Sequence, residues 1–220
     1  MNRISQILLI GCLVMSGCTT TTINEFRQEP IQLADQDSVV ILGRRQSGQY
    51  QTEPFLIECI AKELNALGRN VNIIGEVDFI NRLYPWFEPR TAPLSPERLR
   101  LMMDNPKIAA EIKAMKLHYI VWVEGSTERG DSAGAMSCSI SPTGVACFGF
   151  GMWEDDAAYE IAIWDVANFN SVAWLSASAS GTSYMPAFIA PIPLIARVKS
   201  QVCESIADQI IQMFTDNLAG

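Results

Sequence analysis

Only one histidine, His118, stands in this chain of 220 residues, and that scarcity removes most of the chemistry a sequence can announce. A catalytic nucleophile–base pair, or a metal site built on imidazoles, has almost nothing to draw on. Bases are also few. The 16 Lys and Arg stand against 24 Asp and Glu, for a net charge of −8, and leave no electrostatic footprint for nucleic acid or anionic lipid. There is no CxxC spacing. Gly149-Phe150-Gly151 lacks the third glycine of a dinucleotide-binding turn and does not lead from a strand into a helix. Gly130-Asp131-Ser132-Ala133-Gly134 has the spacing of a hydrolase elbow, but no histidine follows Ser132. The string reads instead as a turn between strands. Glu154-Asp155-Asp156 matches no calcium loop and reads as a solvated strand-end turn. Past residue 17 no apolar run is long and unbroken enough for a membrane helix, since Pro186, Pro191 and Pro193 interrupt the stretch from Met185 to Ala196.

What is present begins at the amino terminus. Arg3 precedes an apolar run from Ile7 to Met15, then Ser16 and Gly17, the order of a secretory signal too short to span a bilayer stably. Met15-Ser16-Gly17-Cys18 resembles the lipobox of bacterial lipoproteins. That resemblance implies removal of residues 1–17, acylation of Cys18, and stable anchoring through several acyl chains. Thr19 after the cysteine, instead of Asp, resembles lipoproteins sorted to the outer membrane. Cleavage removes Arg3 and no acid, taking the charge from −8 to −9. Residues 18–35, with four consecutive threonines and few large apolar residues, read as a flexible tether, and 36–220 as a single globular periplasmic domain. An apolar fraction of 49% with 18% charge fits a packed core.

Four further cysteines, Cys59, Cys138, Cys147 and Cys203, would cross an oxidising envelope. Ser141-Pro142-Thr143-Gly144 is a turn signal, and folding the chain there sets Cys138 beside Cys147 on one face of a hairpin. Cys59 and Cys203, both on amphipathic helices, are left for each other. Four buried free thiols or a metal site are the alternatives; the expectation is disulfides, with no metal and no cofactor.

The pattern then predicts a buried strand at Ser38–Leu42, a loop from Arg44, a helix from Pro54 to Leu67 ended by Gly68, and a second strand over Asn70–Gly75. A short helix follows at Val77–Tyr84. Ser95 with Pro96, and Asn105 with Pro106, start two more. Next come a strand at Leu117–Glu124, the cysteine hairpin over about 133–152, a hairpin of Tyr159–Val166 with Ser171–Ala179, and a closing helix near Leu194–Asn217 with Ile195 inward. The fold class is α+β: one mixed sheet in a two- or three-layer sandwich, with helices mainly on one face and a disulfide-closed hairpin.

Taken with the lipobox at Cys18, this order resembles the periplasmic domain shared by the curli-assembly lipoprotein, the amino-terminal domain of TolB and the lipoprotein activators of penicillin-binding proteins. Cys147-Phe-Gly-Phe-Gly151 and Gly181-Thr-Ser-Tyr-Met-Pro186 also resemble small uncharacterised lipoproteins of Gram-negative bacteria. If helices cover one face of the sheet, as the resemblance implies, Trp122, Trp164 and Trp174 would share the uncovered one as a partner-binding surface; cover by loops or the cysteine hairpin is the competing outcome. The expected function is non-catalytic: a membrane-tethered lipoprotein on the periplasmic face of the outer membrane that binds an envelope protein. An oligomeric pore or secretion subunit is the alternative, since no residue from Ser132 to Trp153 is charged and the resemblance to the curli-assembly lipoprotein implies that such hairpins could join into a barrel. An enzyme of unfamiliar type is the remaining one. Cys18→Ser should abolish labelling by a palmitate analogue and leave uncleaved or freely soluble protein; labelling that persists in the variant would refute the anchor.

Overall fold

A computed structural model describes residues 19–34, 36–46, 50–66, 72–142 and 144–215. The signal, Cys18, Gly68, the first residues of the second predicted strand and the end of the closing helix lie outside the described residues. The elements run β1 (Thr19–Arg27), β2 (Ser38–Gly43), β3 (Arg45–Gln46), β4 (Tyr50–Gln51), α1 (Pro54–Ala66), β5 (Asn72–Ile74), α2 (Glu76–Arg82), α3 (Pro96–Met103), α4 (Pro106–Ala114), β6 (Leu117–Ser141), β7 (Gly144–Asp165), β8 (Asn170–Pro191) and α5 (Val198–Thr215). Six strands form one mixed sheet in the order β1-β8-β7-β6-β2-β5, and β3 with β4 makes a small separate pair. The α+β expectation holds.

The described residues divide into two compact units, the larger within 22–126, 158–178 and 202–215, the smaller within 19–21, 127–157 and 179–201. In the larger unit β2 is the centre. It pairs in parallel with β5 through Val39↔Ile73 and with β6 through Val39↔Tyr119 and Leu42↔Trp122. Its residues Val39 to Leu42 are at most 1% exposed. Alternation sends Val40 and Leu42 to one face, where they meet Phe79 of α2, Leu99 of α3 and Ile108 and Ile112 of α4 in one apolar cluster. Val39 and Ile41 face the other way, toward the side of Tyr119, whose ring stacks on Phe214 of α5 at 6.0 Å. Cys59 on α1 is bonded to Cys203 on α5, so the second face is covered as well. The result is a three-layer sandwich, and the expected uncovered face does not exist here.

Local signals work where they are strongest. Ser95 Oγ accepts from Arg98 N at 3.4 Å and Asn105 Oδ1 from Lys107 N at 3.0 Å, each followed by a proline in the first turn. The tether, by contrast, is a correction: Thr19–Arg27 forms the edge strand β1. Threonine is a good strand former, and an edge strand needs no continuous apolar face. Behind it Ile31 is 1% exposed and Gln32 exchanges two hydrogen bonds of 3.1 Å with the Tyr119 hydroxyl. The predicted short strands are likewise three long ones of 25, 22 and 22 residues. The expected turns at Gly130–Gly134 and Glu154–Asp156 lie inside β6 and β7. Glycine carries the strands through. At Gly134, with φ of +108°, a Cβ would sit 2.2 Å from Phe150 O, and at Gly125, with φ of +133°, 2.1 Å from Ala158 O. Only glycine admits the neighbouring backbone so closely, which bends a strand without ending it. Ile195, expected inward on the last helix, precedes α5 and is 60% exposed.

Both expected disulfides are present, Cys59–Cys203 with a sequence separation of 144 and Cys138–Cys147 with one of 9. On the loop-entropy model the first contributes up to about 5 kcal/mol and the second about 2.7. Urea unfolding of the Cys59→Ala/Cys203→Ala variant should therefore show the larger loss of stability. An equal or smaller loss than in Cys138→Ala/Cys147→Ala would contradict that order.

Candidate functional site

Residue Arg44 follows directly on β2 and continues its hydrogen bonding, donating its N–H to Val123 O at 2.8 Å and accepting from Thr52 N at 3.2 Å. Two residues past Leu42, it projects onto the same face as Val40 and Leu42, the face of the α2–α4 cluster. The side chain is 7% exposed. Its guanidinium carbon lies 3.9 Å from the centre of the Trp122 ring and 5.2 Å from that of Trp164, and Nη1 donates to Pro93 O at 2.6 Å. Burial pushes the guanidinium down to about 10, against the pull of Glu124, so it stays charged at neutral pH. A buried cation is costly in an apolar setting; two ring faces and a carbonyl offset that here.

Around this floor opens a cleft of about 280 Å³, lined by Leu94, Ser95, Glu124, Glu160, Ser171 and Trp174 together with Arg44 and the two inner indoles. Glu76, at the start of α2, pairs with Arg45 at 2.8 Å and accepts from Gly43 N at 2.8 Å, and so holds the backbone on both sides of Arg44. The three predicted tryptophans thus do converge, but not as an exposed face. Trp122 and Trp164 are each 4% exposed, with ring centres 5.7 Å apart, inside the α2–α4 cluster. Helices α2–α4 and the loop between α2 and α3, through Phe87 and Ala92, cover them; the cysteine hairpin has no part in that cluster. Trp174 alone reaches solvent, 39% exposed, with Phe26 of β1 at 6.2 Å. The Trp122 Nε1–H is buried without a hydrogen-bond partner. Arg44 was the residue hidden in the sequence, where it opens a polar loop. The signal for it was the alternation of β2 carried two residues further.

His118 Nδ1 lies 3.0 Å from the Asp37 carboxylate, which also accepts from Ala34 N at 2.8 Å. The pair ties the loop before β2 to the start of β6. Ser132 is an exposed residue within β6, in the smaller unit. Asp155 is engaged by Arg129 at 3.5 Å and by Trp153 Nε1 at 3.2 Å. Among the described residues no cluster of His, Cys, Asp and Glu is placed to hold a metal ion, and no helix is long and apolar enough to cross a membrane.

The smaller unit carries a second surface. Within it no residue is charged from Ser132 to Trp153 or from Ala179 to Ala196. Yet Ile140 is 85% exposed, Phe148 57%, Phe150 43% and Phe188 79%. Phe150 and Tyr184 touch across β7 and β8, with ring centres 6.0 Å apart. After β8 the chain turns back on itself, Ile192 N donating to Pro186 O at 2.9 Å and Tyr184 pairing with Leu194.

No family model matches the sequence, and no curated protein matches it. Among solved structures, the PelC dodecamer from Paraburkholderia phytofirmans is similar over 88% of this chain and 97% of its own, at 14% identity and a TM-score of 0.39. A single-substitution variant of the same dodecamer gives 88% and 98%, again at 14% and 0.39. A TM-score of that size does not define a shared fold.

Arg44→Ala should lower unfolding stability by about 2–4 kcal/mol, the combined scale of a desolvated cation–π contact and a charged hydrogen bond. It should also shift the tryptophan emission. A loss below about 0.5 kcal/mol, the range of ordinary surface substitutions, would show that the indoles pack equally well without the cation.

Proposed function

We propose that this protein is a lipid-anchored envelope lipoprotein that binds a partner protein at the outer membrane and is not itself an enzyme. The observation that carries the reading is the Trp174–Phe26 pair at the rim of the Arg44 cleft. Exposed aromatics beside a rigid, preformed floor are the usual anchors of a protein interface. The lipobox at Cys18 supplies the tether, and Thr19 after it favours the outer membrane and its periplasmic face. The single histidine, already engaged with Asp37, argues for binding over catalysis.

A second reading, an assembly subunit, has its own support. β2 accompanies β6 only as far as Val123, so residues 130–141 of β6 have no strand on that side among the described residues. An open edge of this kind can add a strand from another chain. A membrane-spanning barrel fits less well, because arms rich in Ser and Gly lack a clean apolar alternation.

In-cell cross-linking separates the two. A photoreactive group beside Trp174 should capture one envelope protein, with at least tenfold less captured when Trp174 is replaced by Ala, the loss of a typical hot spot. Cross-links joining β6 of one copy to another copy would favour the assembly reading. No partner, or no loss in the variant, would end the first one.

A further inference from the structure

We propose that the aromatic face of β7 and β8 lies flat in the lipid interface beside the anchor, so that the protein is held to its membrane by a sheet surface as well as by acyl chains. The inference rests on acylation of Cys18. Three observations converge on it. The first is composition. Two uncharged runs, Ser132–Trp153 and Ala179–Ala196, make up most of the smaller unit's described residues. Protein-binding patches are normally ringed by a polar and charged rim; this one has none within either stretch.

The second is the face itself. Tyr184 and Phe188 are four residues apart on β8 and therefore project to the same side. The contact between Phe150 and Tyr184 brings a third ring to that side. Phe188 is 79% exposed, Phe150 43% and Tyr184 37%, so all three rings reach solvent. Phenylalanine and tyrosine at the boundary of water and hydrocarbon bury an apolar body while the tyrosine hydroxyl stays wet.

The third is the place of attachment. Cys18 is bonded to Thr19, and a Cβ on Gly181 would come within 3.2 Å of Thr19 Oγ1, so β1 begins against β8 at Gly181. Any acyl chain on Cys18 therefore starts beside the very strand that carries Tyr184 and Phe188. Phe188 is seven residues further along, about 23 Å at the usual strand rise. A bilayer holding those acyl chains is the nearest large apolar phase the face can meet.

Shallow, face-on contact also suits the backbone. The ladder of β6, β7 and β8 satisfies the inner amides, and the open β6 edge keeps its N–H groups in the hydrated headgroup layer. Crossing the hydrocarbon would strand them.

The test uses the full-length lipidated protein in vesicles of phosphatidylethanolamine and phosphatidylglycerol whose acyl chains carry a diazirine. After irradiation, pepsin digestion is needed, because no Lys or Arg lies between Arg129 and Arg197. Mass spectrometry should find lipid adducts on peptides containing Phe150 and Tyr184–Phe188. These should fall at least fivefold in Tyr184→Ser/Phe188→Ser, with the Cys138–Cys147 bond intact as a check on folding. Adducts confined to peptides near Thr19, or tip peptides protected by a second copy and unlabelled, would overturn the proposal. The Cys18 peptide in the same digest reports acylation directly. An acylated Cys18 with an unlabelled face sinks this inference alone, and an unmodified Cys18 sinks the anchor.

Discussion

A parallel strand pair flanked by helical crossovers has to be covered on both faces, and the larger unit is organised around that requirement. β2 is hydrogen-bonded in parallel to β5 on one side and β6 on the other, and its four central residues are buried whichever way they point. That sequence, Val39-Val40-Ile41-Leu42, is a continuous apolar run, the pattern of a strand covered on both sides. Helices α2, α3 and α4 must then close one face, and α1 and α5 the other. What faces α2–α4 on β6 and β7 becomes core, including Trp122 and Trp164, as does Val166 just past β7.

Arg44 is a consequence of the same geometry. The strand period that buries Leu42 also delivers residue 44 to the closed face, with a charge that cannot reach bulk water. The register Leu42↔Trp122 places an indole where the guanidinium arrives, and Pro93, between α2 and α3, adds a carbonyl. Ring face, carbonyl and a distant carboxylate together make the charge tolerable. They also hold the guanidinium in one place at the floor of the cleft.

How much of this could be read beforehand follows from the range of each interaction. The caps at Ser95 and Asn105 are local, and a proline one residue later announces them. The disulfides were legible because a four-residue turn fixes which cysteines can meet, leaving the remaining two a single choice. The lengths of β6, β7 and β8 were not. Their Gly, Ser and Asp clusters carry the same composition as turns, and only the neighbouring backbone at Gly125 and Gly134 shows that the glycines serve close approach. Cover over Trp122 and Trp164 depends on where α2–α4 dock, a tertiary fact with no local mark. The threonines of β1 carried strand propensity, but their lack of large apolar neighbours concealed it.

The smaller unit poses the opposite problem, too little specification instead of too much. The buried side of β8 in this unit is made of small residues, Ala179, Ser183 and Ala187, which define a register less strongly than large apolar ones would. Nor do charges guard the edges, the usual protection against pairing with another chain. A disulfide and a short hydrogen-bonded return add to that small buried side. Cys138–Cys147 pins β6 against β7 close to their connecting turn, and the return of Ile192 and Leu194 onto Pro186 and Tyr184 closes the outer side of β8. The disulfide's modest contribution on the loop-entropy scale therefore understates its role: it fixes the register of β6 against β7 beside their connecting turn.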